Sequence, residues 1–332
     1  MIDRFRALLL TQDNGSLQAT VSDIHVSELA ERDVMVRVEY STLNYKDALA
    51  ITGKGRIIRD FPMIPGIDLA GEVVESASDM FRPGDRVVST GWGVGERFWG
   101  GLSQYARLDA DWLLSLPAGF DARSAMIMGT GGFTAALCVL ALQDGDVQPD
   151  AGALLVTGAG GGVGGVAVRL LSRLGYQVHA LSGRPELEDY LQQLGARDLI
   201  AREELSRDAK PLEKETWAGV VDTVGGKVLA TAIAQTCSEG MVAACGNAGG
   251  VDLNSTVFPF ILRGVTLRGV NSVTAPADLR ERAWNLLSEH VDGEFNRLLT
   301  DREIGLNEVS EACESLLAGR IRGRIIVNLS KS

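Results

Sequence analysis

The decisive stretch reads Ala153-Leu154-Leu155-Val156-Thr157-Gly158-Ala159-Gly160-Gly161-Gly162-Val163-Gly164-Gly165. Its apolar front predicts a short buried strand from Ala153 to Thr157, and the glycines predict a tight turn. Beyond the turn, Val163, Ala167, Leu170, Leu171 and Leu174 fall at helical spacing, with Gly175 placed to end the helix in a left-handed cap. Strand, glycine turn and helix in that order give a G-x-G-x-x-G pattern its mechanism. The glycines let the backbone approach a pyrophosphate, and the free N–H groups at the helix start face its charge. Two registers fit: Gly160, Gly162 and Gly165, or Ala159, Gly161 and Gly164. The second sets Val163 before the last glycine, where it packs under the helix start, and is preferred. Gly161, Gly162, Val163 and Gly164 are then the expected contacts. A flexible glycine-rich turn without a ligand is the plain alternative.

Downstream, apolar runs alternate with helical segments, as βαβ units around a parallel sheet require. Strands are expected at Gln177 to Leu181, Gly219 to Asp222, Met241 to Cys245 and Val265 to Val270, with helices at Leu187 to Leu194 and around Arg280 to Leu287. The fold class is α/β, with a Rossmann-type doubly wound parallel sheet. Upstream, as far as about Pro117, short strands separated by Gly, Pro and Asp turns describe an all-β unit; Phe5 to Leu10, Asp33 to Tyr40, Gly71 to Ser76 and Asp85 to Ser89 are the clearest. A lone apolar strand, Arg324 to Leu329, comes last.

The chain has 332 residues, 45% of them hydrophobic, and a formal charge of -11. That length suits two domains, and the acidic balance argues against nucleic acid or an anionic membrane as partner. Ser124 to Gln143 carries no charge, but Gly129, Thr130, Gly131, Gly132 and Thr134 dilute it, so it reads as a buried helix rather than a membrane span. Cys138, Cys237, Cys245 and Cys313 are scattered, and no charged-then-apolar leader follows Met1, which points to the cytoplasm.

The expected cofactor is NADP(H). An NAD site usually carries Asp or Glu about twenty residues past the glycines to bind the ribose 2′-OH. Here the second strand ends in Ser182-Gly183-Arg184, a hydroxyl donor and a guanidinium suited to a 2′-phosphate. An ordinary exposed arginine before Pro185 is the alternative reading of Arg184. Thr130 and Thr134, before the first strand, are candidates for the nicotinamide face. Cys245 and Gly246, on the carboxyl edge of the sheet, are further candidates, as are Arg202 and Ser272.

Five segments carry a resemblance over the whole length: Leu43-Asn44-Tyr45-Lys46-Asp47-Ala48-Leu49, Phe61 to Asp68, Thr90 to Glu96, Gly129 to Ala135, and Ala243 to Gly246. With them the chain resembles the zinc-free quinone-oxidoreductase branch of the medium-chain dehydrogenase/reductases, and most closely the NADPH-dependent acrylyl-CoA reductases. The resemblance implies a GroES-like β-rich catalytic domain over 1–124, a Rossmann NADP-binding domain over 125–270, and a return to the catalytic domain over 271–332. Metal-dependent relatives have Gly-His-Glu where this chain has Gly66-Ile67-Asp68, and His25, His179, His290 and the cysteines lack ligand spacing, so no metal is expected.

Without a Lewis acid, reduction of a C=C beside a carbonyl is favoured over alcohol chemistry. The implied reaction is acrylyl-CoA plus NADPH giving propionyl-CoA. Asn44, Tyr45, Lys46 and Asp47 form the densest polar group of the catalytic domain, and in the family this segment faces the nicotinamide. Tyr45 is a candidate for supplying the α-proton or positioning the thioester, and Asp47 for orienting Lys46 or Arg324. Arg324 resembles an arginine that reaches the family's substrate cleft. Lys54, Arg56 and Arg59 are candidates for the coenzyme A phosphates. A quinone or small enone reductase and a catalytically silent NADPH-binding protein are the competing readings. Edge-to-edge pairing of two cofactor domains predicts a homodimer.

Overall fold

The computed structural model describes residues 2–331. The chain divides into two units: residues up to Thr130 together with those from Thr300 onward, and Gly131–Leu299. The boundaries expected at 124/125 and 270/271 therefore fall at Thr130 and Leu299. The later boundary moves because the helices Ala277–His290 and Gly293–Leu299 pack on the helix Gly162–Arg173 and so belong with the parallel sheet.

In the second unit the six-stranded sheet runs, edge to edge, Asp198–Ala201, Gln177–Ser182, Ala153–Thr157, Trp217–Asp222, Thr236–Ala244 and Thr266–Gly269. Every neighbouring pair is parallel. In chain order this is 3-2-1-4-5-6, the doubly wound arrangement expected. The expected strand Ala153 to Thr157 is found with its bounds unchanged. The following helix, Gly162–Arg173, has Leu174 as its C-cap, and the next residue, Gly175, takes a left-handed φ of 87°. Leu155, Val220, Val242, Ile233 and Trp217 are among the buried side chains of this unit's core.

The first unit is built on a seven-stranded sheet, with Val34–Thr42 paired on one side to Asp68–Ser76 and on the other to both Tyr105–Leu108 and Arg324–Asn328. The last strand of the chain thus returns beside an early one and carries its residues next to Thr42 and Asn44. A separate hairpin, Arg4–Asp13 with Ser16–His25, turns at Asn14-Gly15, both with positive φ.

The uncharged stretch forms the helix Ala122–Asp144, and 94% of its most apolar eighteen-residue window is buried. It is broken at Gly129, whose φ of 48° and ψ of −154° are not helical. A β-carbon there would meet Asp68 Oδ2 at 2.7 Å and Thr42 Cγ2 at 2.8 Å. The kink is therefore where a glycine lets the chain pass close to a buried carboxylate.

Candidate active site

In the first unit Asn44 stands at the N-cap of the helix Tyr45–Thr52, and the Asp47 side chain, three residues on, reaches back to it. Asp47 Oδ2 accepts from the backbone N–H of Asn44 at 2.9 Å and from Asn44 Nδ2 at 3.1 Å, while Oδ1 accepts from the N–H of Ile67 at 3.0 Å. Asn44 Nδ2 also donates to Asp68 Oδ2 at 2.7 Å. Asp68 accepts further from the N–H of Thr130 at 2.8 Å and from its hydroxyl at 2.5 Å. Arg324 closes the cluster, donating to Asn44 Oδ1 and Thr42 Oγ1 at 3.0 Å each and to the carbonyl of Ile127 at 3.2 Å.

Two carboxyl groups and one guanidinium are thus sealed together. Asp47 is 1% exposed and Arg324 4%. Burial, with the like charge of Asp68, pushes the Asp47 carboxyl up to about 6 against its hydrogen bonds. Burial also raises Asp68, opposed chiefly by Arg324, and lowers Arg324. The expected orienting role of Asp47 toward Lys46 or Arg324 takes another form: Asp47 holds Asn44 and Ile67, and Asn44 in turn holds Arg324. Arg324 points its donors into this network instead of opening them to a cleft.

Lys46 Nζ lies 3.0 Å from Glu96 Oε2. Tyr45 is the open member of the segment, 42% exposed. Of the three cations considered for coenzyme A, Lys54 is paired with Glu314, whereas Arg56 and Arg59 are exposed. At the Gly66-Ile67-Asp68 position Ile67 is buried and apolar, and the oxygens of Asp68 are occupied by Thr130 and Asn44. Among the described residues, no group of three or more His, Cys, Asp or Glu comes together to hold a metal ion.

In the second unit the two registers differ in how their last glycine is packed. A β-carbon on Gly164 would lie 2.4 Å from the carbonyl oxygen of Gly158 and 2.7 Å from the Cα of Ala159, so only glycine fits where helix and strand meet. On Gly165 it would meet only side chains, none closer than 3.2 Å. Gly164, the last glycine of the preferred register, thus sits at the close approach of helix and strand, while a β-carbon on Gly160, of the other register, would fall 2.6 Å from Leu187 Cδ1. Val163 is half-buried, less enclosed than the packing argument expects. Gly161 begins the helix Gly162–Arg173 without a side-chain cap, leaving the first-turn N–H groups open to a ligand.

The sheet edge around the turn is locked by Asp222. Its carboxylate accepts from the Thr157 hydroxyl at 2.7 Å and the N–H of Gly225 at 2.8 Å. Its carbonyl accepts from the N–H of Cys245 at 2.9 Å, and a β-carbon on Gly246 would lie 2.2 Å from the Thr223 carbonyl oxygen. Cys245 and Gly246, with Ala244, Asn247, Gly269, Val270 and Asn271, line a cleft of about 520 Å³.

Ser182, Arg184 and Arg202 gather at the end of the strand Gln177–Ser182. The N–H of Arg184 donates to Ser182 Oγ at 3.1 Å, and its guanidinium reaches back to the Gly160 carbonyl at 3.4 Å. Arg202 follows the neighbouring parallel strand Asp198–Ala201, which brings it beside Gly183: a β-carbon there would sit 2.7 Å from the guanidinium carbon. These residues fit a nucleotide with an added phosphate. Thr134 is 5% exposed and faces the interior. Ser272 offers its carbonyl to Arg280 at 3.1 Å. Arg280, fully buried, also holds the carbonyls of Val273 and Ala275, and sequence reasoning missed this organiser of the 272–275 loop because an arginine at helical spacing reads as a solvated face. Asp68 and Glu96 lie in segments that carry the resemblance, but sequence reasoning assigned neither a site role, because their partners Asn44, Thr130 and Lys46 are distant in the chain.

Residues 30–118 match the family described as alcohol dehydrogenase GroES-like domain, and residues 162–289 the family described as zinc-binding dehydrogenase. The chain is 52% identical over 325 residues to the probable acrylyl-CoA reductase AcuI of Escherichia coli, covering 98% of this chain and 100% of that one. It is 46% identical to the acrylyl-CoA reductase AcuI of Ruegeria pomeroyi, covering 98% and 99%. A crystal structure of the yhdH oxidoreductase from Salmonella enterica in complex with NADP superimposes with a TM-score of 0.96 at 50% identity, covering 98% of this chain and 99% of that one.

Proposed function

The chain belongs to the quinone-oxidoreductase branch of the medium-chain dehydrogenase/reductase superfamily, and from that premise we propose that it is an NADPH-dependent acrylyl-CoA reductase, forming propionyl-CoA. The observation that carries the reading is the full-length identity of 52% to a relative of that name. When bound, NADPH supplies the hydride that the β-carbon of the enoyl thioester receives.

The chain's own residues hold the reactants and the proton. The open N–H groups at Gly162, Val163 and Gly164 bind the pyrophosphate, and Ser182, Arg184 and Arg202 bind the 2′-phosphate. The cleft at Cys245 and Gly246 takes part of the dinucleotide. Thr130, Thr134 and Ser272 belong to this reading less directly, since Thr130 spends its hydroxyl on Asp68, Thr134 is buried and Ser272 is held through its carbonyl. As the thioester gains enolate character, Tyr45 donates to it or delivers the α-proton, because it is the exposed hydroxyl of the segment. Asn44, Asp47 and Arg324 fix the helix start that carries Tyr45. No metal takes part in this reading, supported by the apolar Ile67 and the hydrogen-bonded oxygens of Asp68.

Purified protein given NADPH should convert acrylyl-CoA to propionyl-CoA and leave NADPH intact without an acceptor. NADPH consumption with quinones but not with acrylyl-CoA would favour the second reading, a quinone or enone reductase. The pairing of Lys54 with Glu314 lends that reading some weight, since it removes one cation from the coenzyme A cluster.

The reading includes a homodimer. Thr266–Gly269 is an edge strand, and Val251, Val257, Ile261 and Leu262 stand exposed in the same unit. Pairing two such edges about a twofold axis would satisfy their backbone groups. Sedimentation at micromolar concentration should give a dimer, and a monomer would remove this part. A cytoplasmic location is also part of the reading; the burial of the Ala122–Asp144 helix bears only on its being a core helix rather than a membrane span.

A further inference from the structure

Lys46 sits between Tyr45 and Asp47 at the start of the helix Tyr45–Thr52, and its side chain leaves that helix to meet Glu96. Glu96 belongs to a loop of unusual backbone. Gly91, Trp92, Gly93 and Gly95 have φ values of 89°, 59°, 80° and 73°. Trp92 is a bulky residue held in the left-handed region, which persists only where surroundings over-determine it. Those surroundings can be named. The N–H of Gly91 donates to the Ile67 carbonyl at 3.3 Å, and Gly95 packs so closely on Gly66 that a β-carbon would lie 2.5 Å from its carbonyl carbon.

A closed circuit results. Asp47 binds the N–H of Ile67, the carbonyl of Ile67 binds Gly91, the loop runs on to Glu96, and Glu96 returns to Lys46. Within the loop, the N–H groups of Glu96 and Arg97 both donate to the Gly93 carbonyl, at 3.2 and 2.8 Å, so the position of Glu96 is coupled to the turn that carries Trp92. The Lys46 and Glu96 side chains are 33% and 23% exposed, so water screens their attraction less than that of a fully exposed pair. Tyr45 is the one member of its segment that this circuit leaves open.

We propose that Lys46 and Glu96 are a positioning pair whose contact closes this circuit and fixes Tyr45 and the Trp92 loop for the thioester reaction, and that Lys46 does not itself touch the substrate. The proposal rests on the reductase reading above. Lys46 presents its charge to Glu96, while Asp47, its neighbour, faces the buried cluster, so one turn of helix is anchored on two sides.

The test compares Lys46→Met, Glu96→Gln, the double variant and the charge exchange Lys46→Glu with Glu96→Lys. With acrylyl-CoA, each single variant should lower kcat about fivefold while KM for NADPH holds. The double variant should be no worse than either single one, and the charge exchange should regain most of the loss. Amide hydrogen exchange, read without substrate, should speed up at Gly91 to Phe98 in the single variants and slow again in the exchange variant. Two results overturn the proposal: Glu96→Gln matching the unaltered protein while Lys46→Met loses kcat, or unchanged exchange rates at Gly91 to Phe98 in both single variants. If the unaltered protein fails to reduce acrylyl-CoA, the reductase reading falls, and the exchange rates alone still decide the pair.

Discussion

In the first unit Asp47, Asp68 and Arg324 turn their charges inward on one another, whereas in the second Arg184 and Arg202, beside the Ser182 hydroxyl, keep theirs at the edge of a sheet. The inward cluster hydrogen-bonds its carboxylate oxygens and guanidinium within itself, so it is suited to hold a backbone still. In the outward cluster Arg184 reaches the glycine turn at Gly160 and Arg202 lies beside Gly183, while the uncapped start of the following helix leaves N–H groups for a ligand. On the proposed reading a charged residue acts through geometry where it is buried and through binding where it is open to solvent, and the substitutions below separate the two.

The largest effect should come from the glycine turn. Gly164→Val forces a side chain against the Gly158 carbonyl, at 2.4 Å for its first carbon alone, and should cost about 3 kcal/mol or more in stability or abolish NADPH binding. Gly165→Ala, with only side chains nearby, should keep NADPH binding within a few-fold. Thermal unfolding and calorimetry read both, and equal effects would break the register assignment.

Next in size, Arg184→Ala and Arg202→Ala should each weaken NADPH binding by about tenfold to a hundredfold, as expected for losing a charge-assisted hydrogen bond, and leave NADH binding unchanged. Parallel losses for both coenzymes would detach these arginines from the 2′-phosphate.

The inward cluster makes a pH prediction of definite sign. Asp47 is raised from 3.8 to about 6 on folding, so the native state binds the extra proton between those values. Stability should therefore be greatest, as far as this group is concerned, below 3.8, and fall by roughly 3 kcal/mol as pH rises through 6. Glu303 behaves oppositely. Burial works against its charge, but hydrogen bonds from Asn328, Arg123 and Lys331 bring it down to about 2 from 4.5, so its contribution is present above 4.5 and lost as pH falls toward 2. Carbon-13 NMR of the Asp47 carboxyl should show a midpoint near 6; a midpoint near 4 would contradict the sealed cluster. The smallest effect should be at the exposed cations: Arg56→Ala with Arg59→Ala should raise KM for acrylyl-CoA a few-fold, about what weak surface charges contribute, and more than KM for NADPH. Equal rises would remove their assignment.

Much of the fold was legible because its signals are local. The strand Ala153–Thr157, the glycine turn and the cap at Gly175 each follow from neighbouring residues. The second strand of the first hairpin, Ser16–His25, was equally available, since Asn14-Gly15 is a hairpin turn and Leu17, Ala19 and Val21 alternate, but its polar composition hid it. The sites were legible only in part. Residue types at Asn44 to Asp47 and Ser182 to Arg184 drew attention, but their partners lie far away in the chain: Arg324 is 280 residues from Asn44, and Asp68 is 62 from Thr130. A kink such as that at Gly129, built to pass a carboxylate from another strand, leaves no periodic trace.

The central claim is tested most directly by isotope. Acrylyl-CoA incubated with the protein and NADPH deuterated at the transferable C4 position should give propionyl-CoA with one deuterium on the β-carbon; deuterium retained in the coenzyme, with acrylyl-CoA recovered unchanged, would contradict the account.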